Sequence, residues 1–273
     1  MRLLQIFTCV FTIQLAFSQA EIDTVLSLQG VEITSSKISE NTIGQKVITI
    51  DSAFMQNHQT ADLGEVLTRT TGIQIKSYNA GGLASIGFRG TSAQHTGIFW
   101  NGFQLNQLNV GMIDLSLIPV NGFDAVDVIP GGGASLFGSG NIGGSIHLLS
   151  KPRFNKKDKI ELLAGAGSFE ACDAAGGLTM SGKKWYSSTR FNYSQAQNDF
   201  EFENFRGETE KQENNAFTRY GLMQDLHRKF KRSKLGASFW FQQMDREIPS
   251  SIYASPKNTD QYDRSVRGMI EYK

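Results

Sequence analysis

The feature that most constrains the fold is a series of long segments in the C-terminal half in which apolar and polar residues alternate. The alternation runs through Lys159–Gly167, Trp185–Ser194, Thr218–Phe230 and Leu235–Phe241. A period of two places alternate side chains on opposite faces of a β strand. Strands of about ten residues with aromatic residues near their ends are typical of a transmembrane β-barrel. The alternative is a soluble β-sandwich, whose strands are usually about five or six residues long.

Short and long connections alternate between these segments. Ser181–Lys184 and Lys231–Ser233 are short turns, whereas Asn198–Asn215 and Arg246–Asp260 are long and polar. Outer-membrane barrels have this asymmetry, with short turns on the periplasmic side and long loops outside. The acidic residues of the loop at 198–215 could bind calcium through their carboxylates, and a solvated loop is the alternative.

Residues 1–20 have the pattern of a signal peptide. Arg2 precedes an apolar region from Leu3 to Phe17, and Ser18-Gln19-Ala20 provides small residues at the cleavage positions. The apolar region, at about 15 residues, is short against the ~20 that a membrane-spanning helix needs. Removal of this segment leaves Cys172 as the only cysteine, which excludes an intramolecular disulfide.

Composition and motifs argue against an enzyme or a nucleic-acid-binding protein. The 27 basic and 26 acidic residues give a net charge of only +1, whereas nucleic-acid binders usually carry a basic surplus. The four histidines have no ligand-like spacing, so the sequence predicts no metal site and no cofactor. Gly138–Gly143 matches the dinucleotide-binding fingerprint, but Ser145–Leu149 reads as a strand where that site requires a helix.

Residues 46–152 are predicted to form a small α+β domain. Strands are expected near Lys46–Ile50, Ile86–Phe88, Thr96–Trp100 and Phe123–Ile129, with a short helix starting near Asp114. A further helix is expected around Leu63, Val66 and Leu67, with Thr60 as its N-cap. Arg89 lies between Phe88 and Gly90 among apolar strand residues, so it is expected to be partly buried with an acidic or carbonyl partner.

The motifs of this domain occur in an order that resembles the plug domain of TonB-dependent outer-membrane receptors, most closely the cobalamin receptor branch. The residues that carry the resemblance are Leu63–Leu67 with Thr71–Ile75, Ile86–Gly90, Ile98–Gly102 and Val126–Ile146. Thr71 stands where the family usually has proline, and Pro130–Gly133 replaces the usual basic residue, glycine and proline. The resemblance implies an α+β plug (46–152) followed by antiparallel transmembrane β-barrel strands. Residues 153–273 have room only for the first of these strands, so we expect an incomplete, truncated barrel.

The resemblance also implies a function in the outer membrane, namely active uptake of a scarce ligand such as cobalamin or an iron chelate. The implied partners are a TonB-type energy-coupling protein in the periplasm, outer-membrane lipid and the small-molecule ligand. Within an N-terminal coupling segment (21–45), Val31, Glu32, Ile33 and Thr34 align best with the TonB box, and Asp23–Val25 is the second choice. A passive porin-like or structural barrel protein is the alternative.

Two further sets of residues follow from the plug interpretation. The loops Ser77–Ala84 and Gln104–Gly111 are polar and lie between strands, so they could contact ligand or face only solvent. Their ligand-binding candidates are Tyr78, Asn79, Asn106 and Asn109. The residues expected to have structural roles in the plug are Arg89, Gly90, Gly102, Gly138, Gly143 and Gly144.

Overall fold

The computed structural model describes residues 46–131, 137–138, 140–204, 206–250 and 258–273. The predicted signal peptide (1–20) and coupling segment (21–45) lie outside these residues. No helix within the described ranges is both long and apolar enough to cross a membrane.

The N-terminal domain, residues 46–152, is built on a five-stranded sheet and a separate hairpin. Its strands are β1 (Ile48–Ile50), β2 (Gln74–Ser77), β3 (Ala84–Gly87), β4 (Thr96–Trp100), β5 (Phe103–Gln104), β6 (Ala125–Pro130) and β7 (Gly144–Leu149). The sheet has the order β1-β6-β7-β4-β5, in which β4 and β7 are parallel and the other neighbours are antiparallel. Strands β2 and β3 form the hairpin.

Two short helices begin at aspartate caps. Helix α1 (Ser52–Asn57) follows Asp51, whose Oδ1 accepts the Phe54 N–H at 2.9 Å. Helix α2 (Leu63–Thr70) follows Asp62, whose Oδ1 accepts the Glu65 N–H at 2.8 Å. The prediction of Thr60 as the cap was therefore wrong, because the helix starts later and the Asp62 carboxylate satisfies its free N–H group. The short helix predicted near Asp114 is confirmed as a 3-10 turn at Leu115–Leu117.

The C-terminal part is an open antiparallel sheet of six long strands, which we call the wall. The wall strands are β8 (Lys159–Ala166), β9 (Cys172–Ser181), β10 (Trp185–Ala196), β13 (Phe217–Lys229), β14 (Lys234–Glu247) and β15 (Asp260–Tyr272). Their order in the sheet is β15-β14-β13-β10-β9-β8. A small hairpin, β11 (Glu201–Glu203) with β12 (Thr209–Lys211), lies within the predicted loop at 198–215.

The two faces of the wall have the reverse of the usual polarity of a soluble sheet. On the inner face, which contacts the N-terminal domain, Arg219 and Asp225 are buried. On the outer face, large apolar side chains are exposed, including Leu162 at 76% and Ile270 at 80%. A soluble protein buries such side chains, whereas a membrane barrel turns them toward lipid. The alternation predicted from the sequence is thus confirmed, and its polar side is the buried one.

The main apolar core is shared between the N-terminal domain and the wall. Helix α2 contributes Leu63, Val66 and Leu67, which pack with residues of β4, β6 and β7. Met223 of β13 and Trp240 of β14 belong to the same cluster of buried side chains. Since one continuous core crosses the contact, the N-terminal domain and this part of the wall form one packed unit.

Two glycines are required by the local backbone. Asn101 and Gly102 have φ of +47° and +91° between β4 and β5, which is the Asn-Gly hairpin turn that demands positive φ at both positions. At Gly144, an added Cβ would lie 2.9 Å from the carbonyl oxygen of Ile129 on the neighbouring strand. Gly90 and Gly138 also have positive φ, and Gly143 lies against Thr91 and His95.

Candidate functional site

Three arginines from the wall cross into the N-terminal domain, and each one reaches an aspartate there. They come from three different strands: Arg190 from β10, Arg219 from β13 and Arg246 from β14. Their partners are Asp124, Asp62 and Asp114 respectively. We call these contacts the three arginine–aspartate pairs.

The pair of Arg246 and Asp114 is the most deeply buried. The Arg246 Nη1 atom lies 2.8 Å from Asp114 Oδ2, and the two side chains are 5% and 8% exposed. The other carboxylate oxygen of Asp114 accepts three hydrogen bonds, from the Ala84 N–H at 2.9 Å and from the N–H and hydroxyl of Ser116 at 3.0 and 2.7 Å. Asp114 therefore joins hairpin β2–β3, the 3-10 turn and the wall at one carboxylate.

Arg190 joins β10 to the start of β6. Its Nη2 atom lies 2.6 Å from Asp124 Oδ1, and its Nη1 donates to the carbonyl of Gly122 at 2.7 Å. The other oxygen of Asp124 accepts the Lys151 N–H at 2.6 Å. Both carboxylate oxygens of Asp124 accept hydrogen bonds. Asp124 therefore joins the wall to the segment at Lys151, which leads from β7 into the wall.

Arg219 binds mainly backbone carbonyls, one in the 3-10 turn at Leu115–Leu117 and one just before α2. It donates to the carbonyl of Ser116 and, at 3.3 Å, to that of Thr60, while Asp62 Oδ2 is 3.7 Å from its Nη1. Burial raises the pKa of Asp62, and the Arg219 charge and the Glu65 N–H offset this only in part. Asp62 thus caps α2 and also faces the wall.

An aromatic cluster lies among these pairs. Trp240 of β14 is fully buried and meets Trp100 and Phe123 edge-on, with ring centroids 5.5 and 5.6 Å apart. The Arg267 guanidinium lies over the Trp240 ring at 4.4 Å from its centroid. Edge-to-face contacts of this kind add to the stabilisation from burial.

A small polar groove of about 50 Å³ lies between α1 and strands β8–β10. Its lining includes Gln56, Gln59, Asn121 and Glu161, with the Arg190–Asp124 pair at one side. The packing between the N-terminal domain and the wall is therefore looser here than at Trp240.

The ligand-binding candidates divide into two exposed and two internally bonded residues. Tyr78 is 77% exposed, and Asn109 is also exposed. Asn79 donates from Nδ2 to Oδ1 of Asn215, at the end of the long connection 198–215. The Asn106 amide donates to the carbonyls of Thr96 and Gly111, both at 2.9 Å, and accepts the Ile98 N–H at 2.8 Å. The hydrogen bonds of Asn79 and Asn106 hold their loops in place.

Both candidate loops lie at the end of the structure where the long connections are. The Asn198 amide donates to the carbonyl of Ala80 at 3.0 Å, which brings the loop at 77–84 against the long connection at 198–215. The loop around Asn109 lies beyond the Thr96 end of β4, and the other end of β4 is near Ser150 and the first wall strand. Tyr78 and Asn109 therefore share the side opposite the short turns.

Arg89 does not have the buried position expected of it. It is exposed and has a φ of +46°, in a turn that follows β3. Strand β3 ends at Gly87, so the chain reverses at Arg89 and Gly90 and directs the guanidinium toward the surface. The expectation was wrong because β3 ends one residue before the predicted strand end at Phe88, so Arg89 lies in the turn.

His147 is a buried titratable group of the N-terminal domain, and its surroundings are structural. It is buried between the rings of Phe99 and Phe137, with Nε2 2.9 Å from the Ser145 hydroxyl. Burial lowers its pKa to about 4, so the imidazole is neutral at physiological pH. Ser145 and His147 lie in strand β7, which confirms a strand after the glycine-rich motif where a dinucleotide site needs a helix.

The acidic loop at 198–215 satisfies several of its carboxylates internally. Asp199 pairs with Lys211 at 2.6 Å, which lowers the pKa of Asp199 and raises that of Lys211. The Asn204 amide donates to Glu208 and Glu210. Within the described ranges, no three His, Cys, Asp or Glu side chains are grouped so as to hold a metal ion.

Sequence reasoning missed the three arginine–aspartate pairs. The alternation predicted correctly that Arg190 and Arg219 lie on the polar faces of their strands. It did not predict that they bind the N-terminal domain. A usable signal was present, since an arginine on a face that turns toward a folded domain needs a partner there. Which aspartate each arginine meets depends on the tertiary fold, and the spacing of residues along the sequence does not reveal it.

Comparison with known proteins agrees with this architecture. Residues 39–145 match the family described as the TonB-dependent receptor plug domain. The vitamin B12 transporter BtuB of Photobacterium profundum is 32% identical over 111 residues, which is 40% of this chain and 18% of the relative. BtuB of Vibrio cholerae is 33% identical over 117 residues, or 42% of this chain and 19% of the relative. The matched part is thus less than a fifth of these relatives' length.

Solved structures share the fold at lower identity. The pyoverdine outer-membrane receptor FpvA of Pseudomonas aeruginosa has a TM-score of 0.58 and 20% identity, over 74% of this chain and 28% of that chain. The copper transporter OprC has a TM-score of 0.60 and 18% identity, over 74% of this chain and 30% of that chain. The N-terminal domain and the wall together therefore have the fold of these receptors.

The buried pairs predict a measurable coupling. We expect Arg246→Gln to lower the free energy of unfolding by about 3–5 kcal/mol, because the Asp114 carboxylate stays buried without its cation. The double variant with Asp114→Asn should lose less, since asparagine still accepts from Ala84 and Ser116. Urea unfolding followed by tryptophan fluorescence in detergent measures both.

The matched control is Arg69→Gln, which breaks the exposed pair with Glu65 on α2. This change should cost about 0.5 kcal/mol or less. An Arg246→Gln variant as stable as the Arg69→Gln variant would contradict the assignment.

Proposed function

We propose that the chain acts in active uptake of a scarce ligand across the outer membrane, as a TonB-dependent receptor whose plug domain matches residues 39–145. The observation that carries the proposal is the position of the N-terminal domain on the polar inner face of the wall, where the three arginine–aspartate pairs hold it. The outer face of the wall is apolar and suits lipid.

The covered inner face favours a gated receptor over a passive pore. A passive porin needs a lumen open to water, whereas here Met223 and Trp240 of the wall are packed into the core of the N-terminal domain. Ions and small solutes would have no wide path along this part of the wall. The porin-like alternative thus has no structural support among the described residues.

Movement of the N-terminal domain against the wall would require work. Separating a buried ion pair leaves charges without partners in a poorly solvated place, which typically costs several kcal/mol. Three such pairs and the Trp240 cluster would have to shift together. An energised periplasmic partner of the TonB type would supply that work by pulling on the chain before β1.

The coupling segment would be captured as an added β strand. Val31-Glu32-Ile33-Thr34, in the segment 21–45, is a short extended run that a partner could pair with through backbone hydrogen bonds. Asp23–Val25 remains the second candidate. Both lie outside the described residues.

For the ligand we propose cobalamin or an iron chelate, by analogy with the relatives. The contacts we assign are Tyr78 and Asn109, which are exposed on the side of the long loops. Asn79 and Asn106 would support these loops through the hydrogen bonds described above.

The coupling proposal is tested by a backbone change. Ile33→Pro removes an N–H donor and should abolish uptake of labelled cobalamin by cells while leaving its binding to the cell surface unchanged. Ile33→Leu keeps the donor and is the matched control. Val25→Pro tests the second candidate. Normal uptake by both proline variants would contradict the coupling role of this segment.

The ligand-contact proposal is tested by side-chain removal. Tyr78→Ala and Asn109→Ala should each weaken cobalamin or ferric-chelate binding by about 1 kcal/mol, roughly fivefold in Kd, with no loss of stability. Titration of binding on whole cells measures this. Tyr272→Ala removes an equally exposed tyrosine from the opposite end and should have no effect. Equal affinities in all three variants would refute the assignment.

A further inference from the structure

The end of the wall with short turns carries a dense group of basic residues, which we call the basic rim. Segment 151–159 contains five lysine and arginine residues, turn 182–184 two and segment 228–234 five, and Lys273 lies beside them. This is nearly half of the chain's 27 basic residues. Asp158 is the one acidic residue of the three segments.

Hydrogen bonds place these segments at one edge. The Asn155 N–H donates to the Gly182 carbonyl at 3.0 Å, and the Lys229 N–H donates to the Lys184 carbonyl at 2.8 Å. Lys234 and Lys273 exchange two backbone hydrogen bonds, at 2.7 and 2.9 Å. The charges are thus distant in sequence but form one continuous rim across β8–β15.

Aromatic side chains lie directly above the rim on the outer face of the wall. Trp185 is paired in register with Arg228, and Phe230 and Tyr272 are 53% and 75% exposed. Tyrosine and tryptophan are enriched at the level of lipid headgroups. A second set, Tyr193 and Tyr262, lies toward the other end.

The spacing of the two aromatic levels fits a membrane. Trp185 and Tyr193 are eight residues apart on β10, which is about 26 Å along a strand. With a barrel strand tilt of ~40°, this gives roughly 20 Å of apolar height, close to the ~25 Å band of outer-membrane barrels. In a membrane of this thickness the basic rim would lie at the depth of one headgroup layer.

The opposite end has the opposite charge. The connection at 198–215 has six acidic residues and two basic ones, and Asp245, Glu247 and Asp260 lie at the same end. Basic charge is thus concentrated at the short-turn end and is not spread over the whole surface for solubility.

We propose that the basic rim binds the headgroups of anionic phospholipids in the periplasmic leaflet of the membrane. The inference rests on the proposed placement of the wall in the outer membrane and goes beyond the uptake function. Clusters of Lys and Arg next to a membrane-spanning element attract anionic lipid, and the attraction weakens with salt.

The position of Arg228 favours lipid over an acidic periplasmic protein. Arg228 is exposed on the outer face, and its guanidinium lies 5.8 Å from the Phe230 ring centroid. A protein approaching from the periplasm would meet the turns, whereas a lipid beside the wall meets Arg228, Trp185 and Phe230 together. The outward direction of this cation therefore matches a lateral ligand.

Trp185 allows a direct test. Of the three tryptophans, Trp100 and Trp240 are buried in the core, so lipid quenching of fluorescence reports mainly on Trp185. The chain is reconstituted in phosphatidylcholine vesicles with a minor fraction of brominated phosphatidylglycerol or brominated phosphatidylcholine. We expect about threefold stronger quenching by the anionic lipid at ~0.05 M NaCl, falling toward equality at ~0.5 M.

The variants isolate the rim. Replacing Lys183, Lys184, Lys231 and Arg232 by glutamine should remove most of the preference, and replacing the three lysines by arginine should retain it. The matched control replaces Lys46, Arg69, Lys76 and Arg206, away from the rim, by glutamine and should also retain it.

Each result decides the matter. Equal quenching by the two lipids, or a preference that persists in the rim variant, overturns the lipid assignment while leaving the wall in the membrane. No quenching by either lipid places Trp185 outside lipid and overturns the membrane placement as well.

Discussion

The structure depends on the burial of charge between the N-terminal domain and the wall. Arg190, Arg219 and Arg246 leave the polar face of three strands and end at carboxylates and carbonyls of the N-terminal domain. A buried guanidinium without such partners would be strongly unfavourable, so the wall is stable in this form only with the N-terminal domain against it. The same contacts fix how the domain sits, because an arginine accepts few geometries when it binds both a carboxylate and a carbonyl.

Much of the fold could be predicted from residue patterns. The period of two in the sequence predicted strands β10 and β13, the turns beside them and which residues lie on each face. The predicted bounds of β4, Thr96–Trp100, are the observed ones. No bounds could be predicted for β9, because Ala174, Ala175, Gly176 and Gly177 show little contrast between its faces. No bounds could be predicted for β15, because charged residues such as Asp263 and Arg264 occupy both of its faces. The arginine–aspartate pairs were beyond local reasoning, since Arg190 and Asp124 are 66 residues apart.

The two ends of the wall differ in chemistry as well as in loop length. The end with long connections is acidic and exposes Tyr78 and Asn109, which suits capture of a ligand from outside. The end with short turns is basic and flanked by Trp185 and Tyr272, which suits a headgroup layer. Between the two ends, the inner face of the wall contacts the N-terminal domain through the three arginine–aspartate pairs.

The central claim is that the outer face of the wall meets lipid while the inner face meets the N-terminal domain. Nitroxide labels placed singly along β13 from Arg219 to Asp225, in a background with Cys9 and Cys172 replaced and in lipid vesicles, test it most directly. The account predicts that collision with oxygen alternates along the strand, high at Tyr220, Leu222 and Gln224 and low at Gly221 and Met223. Uniform accessibility, or an alternation of the opposite phase, would contradict it.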